Sequence, residues 1–90
     1  MATNKHALIR YHALDRCFRN TGRLYFIDDL VQETNRAIYD HSGIEDGVKK
    51  RQVYEDIVFM ESEEGWSIDL VRKKDGRKVS FRYADPNYSI

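Results

Sequence analysis

Ninety residues suffice for one domain with a small core, and a content of 41% hydrophobic and 12% aromatic residues sets the chain apart from a disordered tail. The single Cys17 excludes an internal disulfide and a four-cysteine zinc site, and no apolar run approaches membrane-spanning length. The start, Met1-Ala2-Thr3-Asn4-Lys5-His6, lacks the apolar core of a secretory signal, so a cytoplasmic protein is expected.

The first predicted helix runs from near Asn4 to near Asn20. Ala7, Tyr11, Leu14 and Phe18 recur in it at helical spacing, with Leu8 beside them, and Thr21-Gly22 breaks it. A second helix is expected from Ile27 or Asp28 to Tyr39, burying Leu30, Val31, Thr34 and Ile38. Asp28 and Asp29 suit the positive end of its dipole, and Asp40-His41-Ser42-Gly43 ends it. Ile44 to Gly47 reads as a turn. The third helix follows over Lys49–Glu63, with Val53, Ile57, Met60 and Phe59 inward, Lys50, Arg51 and Tyr54 outward, and Gly65 closing it. Ser67–Arg72 and Lys78–Tyr83 alternate as strands around a turn at Asp75-Gly76. Trp66, Ile68, Leu70, Val79, Phe81 and Tyr83 are the residues expected to pack this sheet onto the helices.

The order helix, helix, helix, strand, strand gives an α+β, mainly helical fold: a helix-turn-helix followed directly by a hairpin wing. The chain has a net charge of zero, but the charge is unevenly spread. Residues 48–54 hold Lys49, Lys50 and Arg51 without an acid, +3; residues 70–84 hold Arg72, Lys73, Lys74, Arg77, Lys78 and Arg82 against Asp75, +5; the remainder carries −8. Positive charge thus gathers on the two elements that a winged helix presents to duplex DNA. Hairpins also carry Lys and Arg simply to resist edge-to-edge pairing, which accounts for part of this pattern.

On the DNA reading, the third helix enters the major groove. Lys49 and Lys50 face phosphates, Arg51 suits guanine, Gln52 suits adenine, and Tyr54 reaches a phosphate or a thymine methyl. Glu55 and Asp56 lie awkwardly close and are expected to point sideways or pair with a cation, although Glu55 can also accept from cytosine. Arg72, Lys73, Lys74, Arg77 and Lys78 of the wing read as phosphate or minor-groove contacts, which raise affinity without specifying sequence. Tyr25 is a core aromatic or a further backbone contact. His6, His12 and His41 lie far apart with no ligand-spaced partners, so no metal is expected. Cys17 reads as a small buried thiol, Glu61-Ser62-Glu63-Glu64 as a solvated helix end, and no glycine-rich phosphate loop exists. Neither an enzyme nor a cofactor is expected.

The segment from Gly47 to Glu61, GVKKRQVYEDIVFME, resembles the recognition-helix motif of bacterial winged-helix regulators. With Gly65-Trp66-Ser67-Ile68 and Asp75-Gly76-Arg77, it is similar to the N-terminal domain of WYL-domain transcriptional regulators, particularly those of Bacteroides-type bacteria. The resemblance extends from Lys5 to about Ser89. Lys49 departs from the family's usual serine, removing an N-cap oxygen at a cost of roughly 1 kcal/mol unless another group caps the helix. Glu55 departs from an arginine frequent in relatives. The resemblance implies residues 1–85 as the DNA-binding domain and 86–90 as the start of a linker to a C-terminal WYL domain that senses a ligand and supports a homodimer.

Two rivals stand beside this reading. Winged helices also serve as protein-docking or dimerisation modules, for which Tyr11, Tyr39 and Tyr88 are the aromatics to watch. RNA or single-strand binding would need aromatics interleaved with the cations on one exposed surface.

Overall fold

The chain was analysed as a computed structural model, which describes residues 6–43, 45 and 47–90. Three helices precede one antiparallel hairpin: α1 (Ala7–Arg19), α2 (Ile27–Ser42), α3 (Lys50–Glu61), β1 (Leu70–Asp75) and β2 (Lys78–Tyr83). The expected helix start near Asn4 lies outside the described residues, as do Ile44 and Asp46 of the turn before α3.

The helical stripes pack as their periodicity requires. Leu14 and Phe18 of α1, Leu30 of α2, and Val53, Ile57 and Met60 of α3 meet in the core with Tyr25, Ile68, Phe81 and Tyr83, and Ile38 of α2 is buried as well. Tyr11, Val31, Trp66, Leu70 and Val79 cover its margin. Tyr25 is core: its hydroxyl accepts from Asn20 Nδ2 at 3.0 Å, beside the residue that ends α1. The second helix runs past Tyr39 to Ser42 and stops only at Gly43.

The turn into α3 is held by a residue of α2. Asn35 accepts from the Val48 N–H at 2.7 Å and donates to the Val48 carbonyl at 2.9 Å. Gly47 is what lets the Asn35 amide approach, because a Cβ there would overlap it. Gly47→Ala should therefore cost about 2 kcal/mol, the worth of two partly buried hydrogen bonds. Asn35→Ala removes the same two bonds, so the double variant should be little worse than either single one by urea denaturation. Additive losses would show that Gly47 acts through something other than Asn35.

The third helix ends at Glu61, short of the expected Glu63, and the strand after it starts later than expected. Ser67 is left-handed at φ 51°. Its N–H donates to the Ser62 carbonyl at 3.0 Å, and the Ile68 N–H donates to the Met60 carbonyl at 3.0 Å. Both groups are thereby committed to closing the helix end, so β1 begins at Leu70 instead of Ser67. At its other end β1 continues to Asp75, which pairs with Lys78. The two-residue loop is thus Gly76-Arg77, one residue later than the expected turn. Gly76 at φ 65° supplies the positive φ that such tight hairpins need.

Two ties fix α2 and α3 relative to the rest. Phe26, ahead of α2, bridges to Ser80, and the Phe81 N–H donates to the Tyr25 carbonyl at 2.9 Å, fastening the start of α2 to the wing. Arg10 of α1 forms a bidentate pair with Asp56 of α3, at 2.6 and 3.0 Å, with both side chains almost wholly buried. Tyr11 stacks on Phe59 at 5.2 Å beside that pair. After β2 the chain turns back onto α1. The Tyr83 hydroxyl, the Ser89 hydroxyl and the Ile90 N–H all donate to the buried Asp15 carboxylate. Tyr88 packs edge-on to Tyr83 at 4.9 Å. Burial, followed by the bond to Asp15, pushes the Tyr83 hydroxyl well above its ordinary pKa.

Candidate nucleic-acid interface

Burial of Val53, Asp56, Ile57 and Met60 leaves one side of α3 open to solvent. Lys50, Arg51, Tyr54, Glu55 and Val58 form that side. The Arg51 side chain is 92% exposed and lies 3.7 Å from Glu55. Glu55 and Asp56 thus both meet a cation, Arg51 and Arg10 respectively. Val58 is 65% exposed, an apolar residue on this strip that the sequence pattern did not single out. Lys49 is the N-cap residue, and no side chain caps the helix there, so the missing serine oxygen is not replaced.

Gln52 belongs to the flank of this strip. Its Nε2 donates to Asp56 Oδ1 at 2.9 Å, and Asp56 is itself gripped by Arg10. One of its two amide N–H donors is therefore engaged on the Arg10–Asp56 pair. Sequence reasoning did not find the Arg10–Asp56 pair, although a signal existed. Arg10 sits one helical turn before Leu14 on the buried stripe, and Asp56 lies between Val53 and Met60, so each charge occupies a core position.

The wing cations separate into two groups. Arg72 donates two hydrogen bonds to Glu61 at 2.9 and 2.8 Å, and its guanidinium lies 5.5 Å from the Phe81 ring. Those bonds raise its already high pKa. Glu61, expected in a solvated acidic helix end, is thus tied to the hairpin, while Glu63 and Glu64 are exposed. Lys73, Lys74, Arg77 and Lys78 are exposed, and Lys78 Nζ lies 5.5 Å from the Phe26 ring.

The tie between Phe26 and the wing brings three elements around one cleft of about 240 Å³. Phe26, Ile27 and Asp28 come from the start of α2, Lys50 and Tyr54 from α3, and Arg77, Lys78 and Val79 from the wing. Lys50 Nζ lies 3.1 Å from an Asp28 oxygen. Three cations and one carboxylate thus line the cleft together with Phe26, Ile27 and Val79. Of the ten residues expected to contact DNA, Lys50, Tyr54, Arg77 and Lys78 line this cleft. Lys49 and Arg51 are exposed at the start of α3, Lys73 and Lys74 are exposed on β1, and Gln52 and Arg72 are engaged elsewhere.

Two other features lie apart from it. His12 and His41, distant in sequence, share a groove of about 400 Å³ with Leu8, Ile9 and Arg16. His41 stands about 20 Å along α2 from Asp28 at 1.5 Å per residue. Cys17 is buried, and burial is the main reason its thiol is pushed up to about 12, leaving it protonated and unreactive at neutral pH.

Three helices followed by a two-stranded antiparallel hairpin define a winged helix domain. Within that class, residues 6–74 match the family described as the N-terminal winged helix domain of WYL domain-containing proteins, and the chain belongs to that family. The match ends inside β1, so Arg77, Lys78 and all of β2 lie beyond it. No curated protein matches the chain, and no solved structure matches it. Among the described residues, no helix is long and apolar enough to cross a membrane.

Proposed function

We propose that this domain binds duplex DNA in the cytoplasm as the N-terminal reader of a transcriptional regulator and is not an enzyme. In this reading the first turns of α3 enter the major groove, and the wing rests on the adjacent backbone or minor groove. The observation that carries it is the convergence of Lys50 and Tyr54 of α3 with Arg77 and Lys78 of the wing on one cleft. Cations on two separate elements border one cleft, an arrangement suited to neighbouring stretches of a polyanion.

The exposed strip assigns roles within α3. Arg51 is the base-reading arginine, Tyr54 and Val58 suit thymine methyls, and Lys49 and Lys50 suit phosphates. Gln52, with one amide N–H held by Asp56, keeps its second N–H and its oxygen, but the bond to Asp56 restrains the side chain away from a two-point contact to adenine. Arg51→Ala should cost roughly 1–3 kcal/mol on the preferred duplex and relax the choice at about one base pair. Equal weakening on every duplex would reduce Arg51 to a phosphate contact.

Residues 86–90 serve in this reading as the beginning of a connection to a C-terminal WYL domain, through which the regulator dimerises. The rival docking reading is weakened by two of its three aromatics. Tyr11 is stacked between Phe59 and Trp66, and Tyr88 lies against Tyr83, leaving Tyr39 exposed. The decisive experiment is titration of the domain into labelled duplexes, including the promoter of its own gene, across a range of salt. Tight binding to one duplex with a steep salt slope supports the regulator reading. A folded domain that binds no duplex at low salt overturns it in favour of protein docking.

A further inference from the structure

The cleft between α2, α3 and the wing contains a group that should not be there if its only task were to attract DNA. Asp28 is a largely exposed carboxylate among Lys50, Arg77 and Lys78, and it holds Lys50 at 3.1 Å. The helix dipole favours an acid in this first turn, but it does not require that acid to reach across to α3. Asp29, the next residue, already serves the first turn of α2 by accepting from the Phe26 N–H at 2.9 Å and pairing with Arg23 at 3.1 Å. Asp28 instead engages the recognition helix across the cleft. A carboxylate bonded to a lysine in a cationic hollow occupies the place that a phosphate oxygen would take.

We propose that this cleft seats one phosphate group of the DNA backbone and that Asp28 is its placeholder. Asp28 holds Lys50 in the free protein and is displaced from it when the phosphate arrives. The proposal rests on the duplex-binding reading and adds to it a positioning residue outside the recognition helix and wing. The chemistry of the seat fits its ligand. Lys50, Arg77 and Lys78 supply charge from two sides, Tyr54 supplies a hydroxyl, and the Phe26 ring backs the Lys78 ammonium. The placeholder has two consequences. It keeps Lys50 ordered before binding, and it sets a competing anion against every phosphate, lowering affinity for all sequences alike while leaving base contacts untouched. A uniform penalty leaves the ratio between sequences as the base contacts set it and lowers the occupancy of unrelated DNA at a given protein concentration.

The test compares the parent domain with Asp28→Asn, Asp40→Asn, Lys50→Ala and the double variant Asp28→Asn/Lys50→Ala. Each is checked for folding by thermal melt and titrated with a duplex selected from a random pool and with an unrelated duplex. Asp40 is an exposed acid near the far end of α2 and controls for net charge. Asp28→Asn should bind both duplexes about fivefold tighter than the parent at low salt, the effect expected from removing one screened like charge beside a phosphate. The ratio between the two duplexes should stay unchanged, Asp40→Asn should gain less, and most of the gain should vanish in the double variant. Gains equal to those of Asp40→Asn, or weaker binding by Asp28→Asn, would overturn the placeholder while leaving duplex binding intact. Absence of duplex binding by the folded parent would overturn both readings. A parallel titration with inorganic phosphate, followed by NMR at Asp28, Lys50 and Arg77, separates the two sources of phosphate. Saturation by inorganic phosphate, with no effect of Asp28→Asn on duplex affinity, would assign the cleft to a free phosphate instead.

Discussion

Asp56→Ala is expected to destabilise the domain by about 3–5 kcal/mol, because it removes the bidentate carboxylate bonded to the buried Arg10 guanidinium. The Arg10 and Asp56 side chains are only 3% and 2% exposed, so water cannot take over the lost partner. For a domain of this size the loss corresponds to a fall in Tm of roughly 15–30 °C, read by circular dichroism. It would consume much of the total stability of a typical small domain. The paired replacement Arg10→Met with Asp56→Leu should recover most of the loss, since a buried pair exchanged for apolar side chains of similar volume is often neutral or better. The double variant should still lose DNA affinity, because Gln52 would no longer be held by Asp56 and the seat of α3 on α1 would shift. A loss below about 1 kcal/mol for Asp56→Ala would mean that the pair is hydrated in solution.

Replacing Arg77 and Lys78 together by alanine should weaken binding to every duplex by about a hundredfold at low salt, taking roughly tenfold for each charge-assisted phosphate contact. The slope of log affinity against log salt should flatten by about 2. Preference among duplexes should survive, because the proposed role of these residues is on the backbone and not at base edges. Arg72→Ala provides the contrast within the same hairpin. Its guanidinium is bonded to Glu61 and lies on Phe81, so its removal should lower stability and leave the salt slope unchanged. An unchanged slope in the Arg77/Lys78 double variant would remove the wing tip from the interface. A flattened slope in Arg72→Ala would show that Glu61 releases its partner on binding.

Much of the fold was legible because local chemistry and tertiary packing agree. Leu14 and Phe18, Leu30 and Ile38, and Val53, Ile57 and Met60 fall at helical spacing and are buried as that spacing requires. The alternation around Asp75-Gly76 marked a hairpin, and Val79, Phe81 and Tyr83 turn inward along β2. Boundaries were less legible where a backbone group had a distant partner. Nothing in Ser67-Ile68 announces that both N–H groups close the end of α3, and that commitment is what delays β1. The turn before α3 is similar: Gly47 reads as a generic breaker until Asn35, a helix away, is seen to need its missing Cβ.

By itself the sequence determined the element order, the helical stripes, the hairpin and the gathering of cations on two segments, since each depends on residues within a few positions of one another. Only the tertiary structure decided which cations are available. Arg72 and Lys78 stand six residues apart in one basic hairpin, yet the first is bonded to Glu61 while the second overlooks a cleft built by three elements. Asp28 and Lys50 meet across 22 positions, and Arg10 and Asp56 across 46. The energy of a charge is set by its neighbours and by water, and periodicity along the chain carries no information about neighbours that distant.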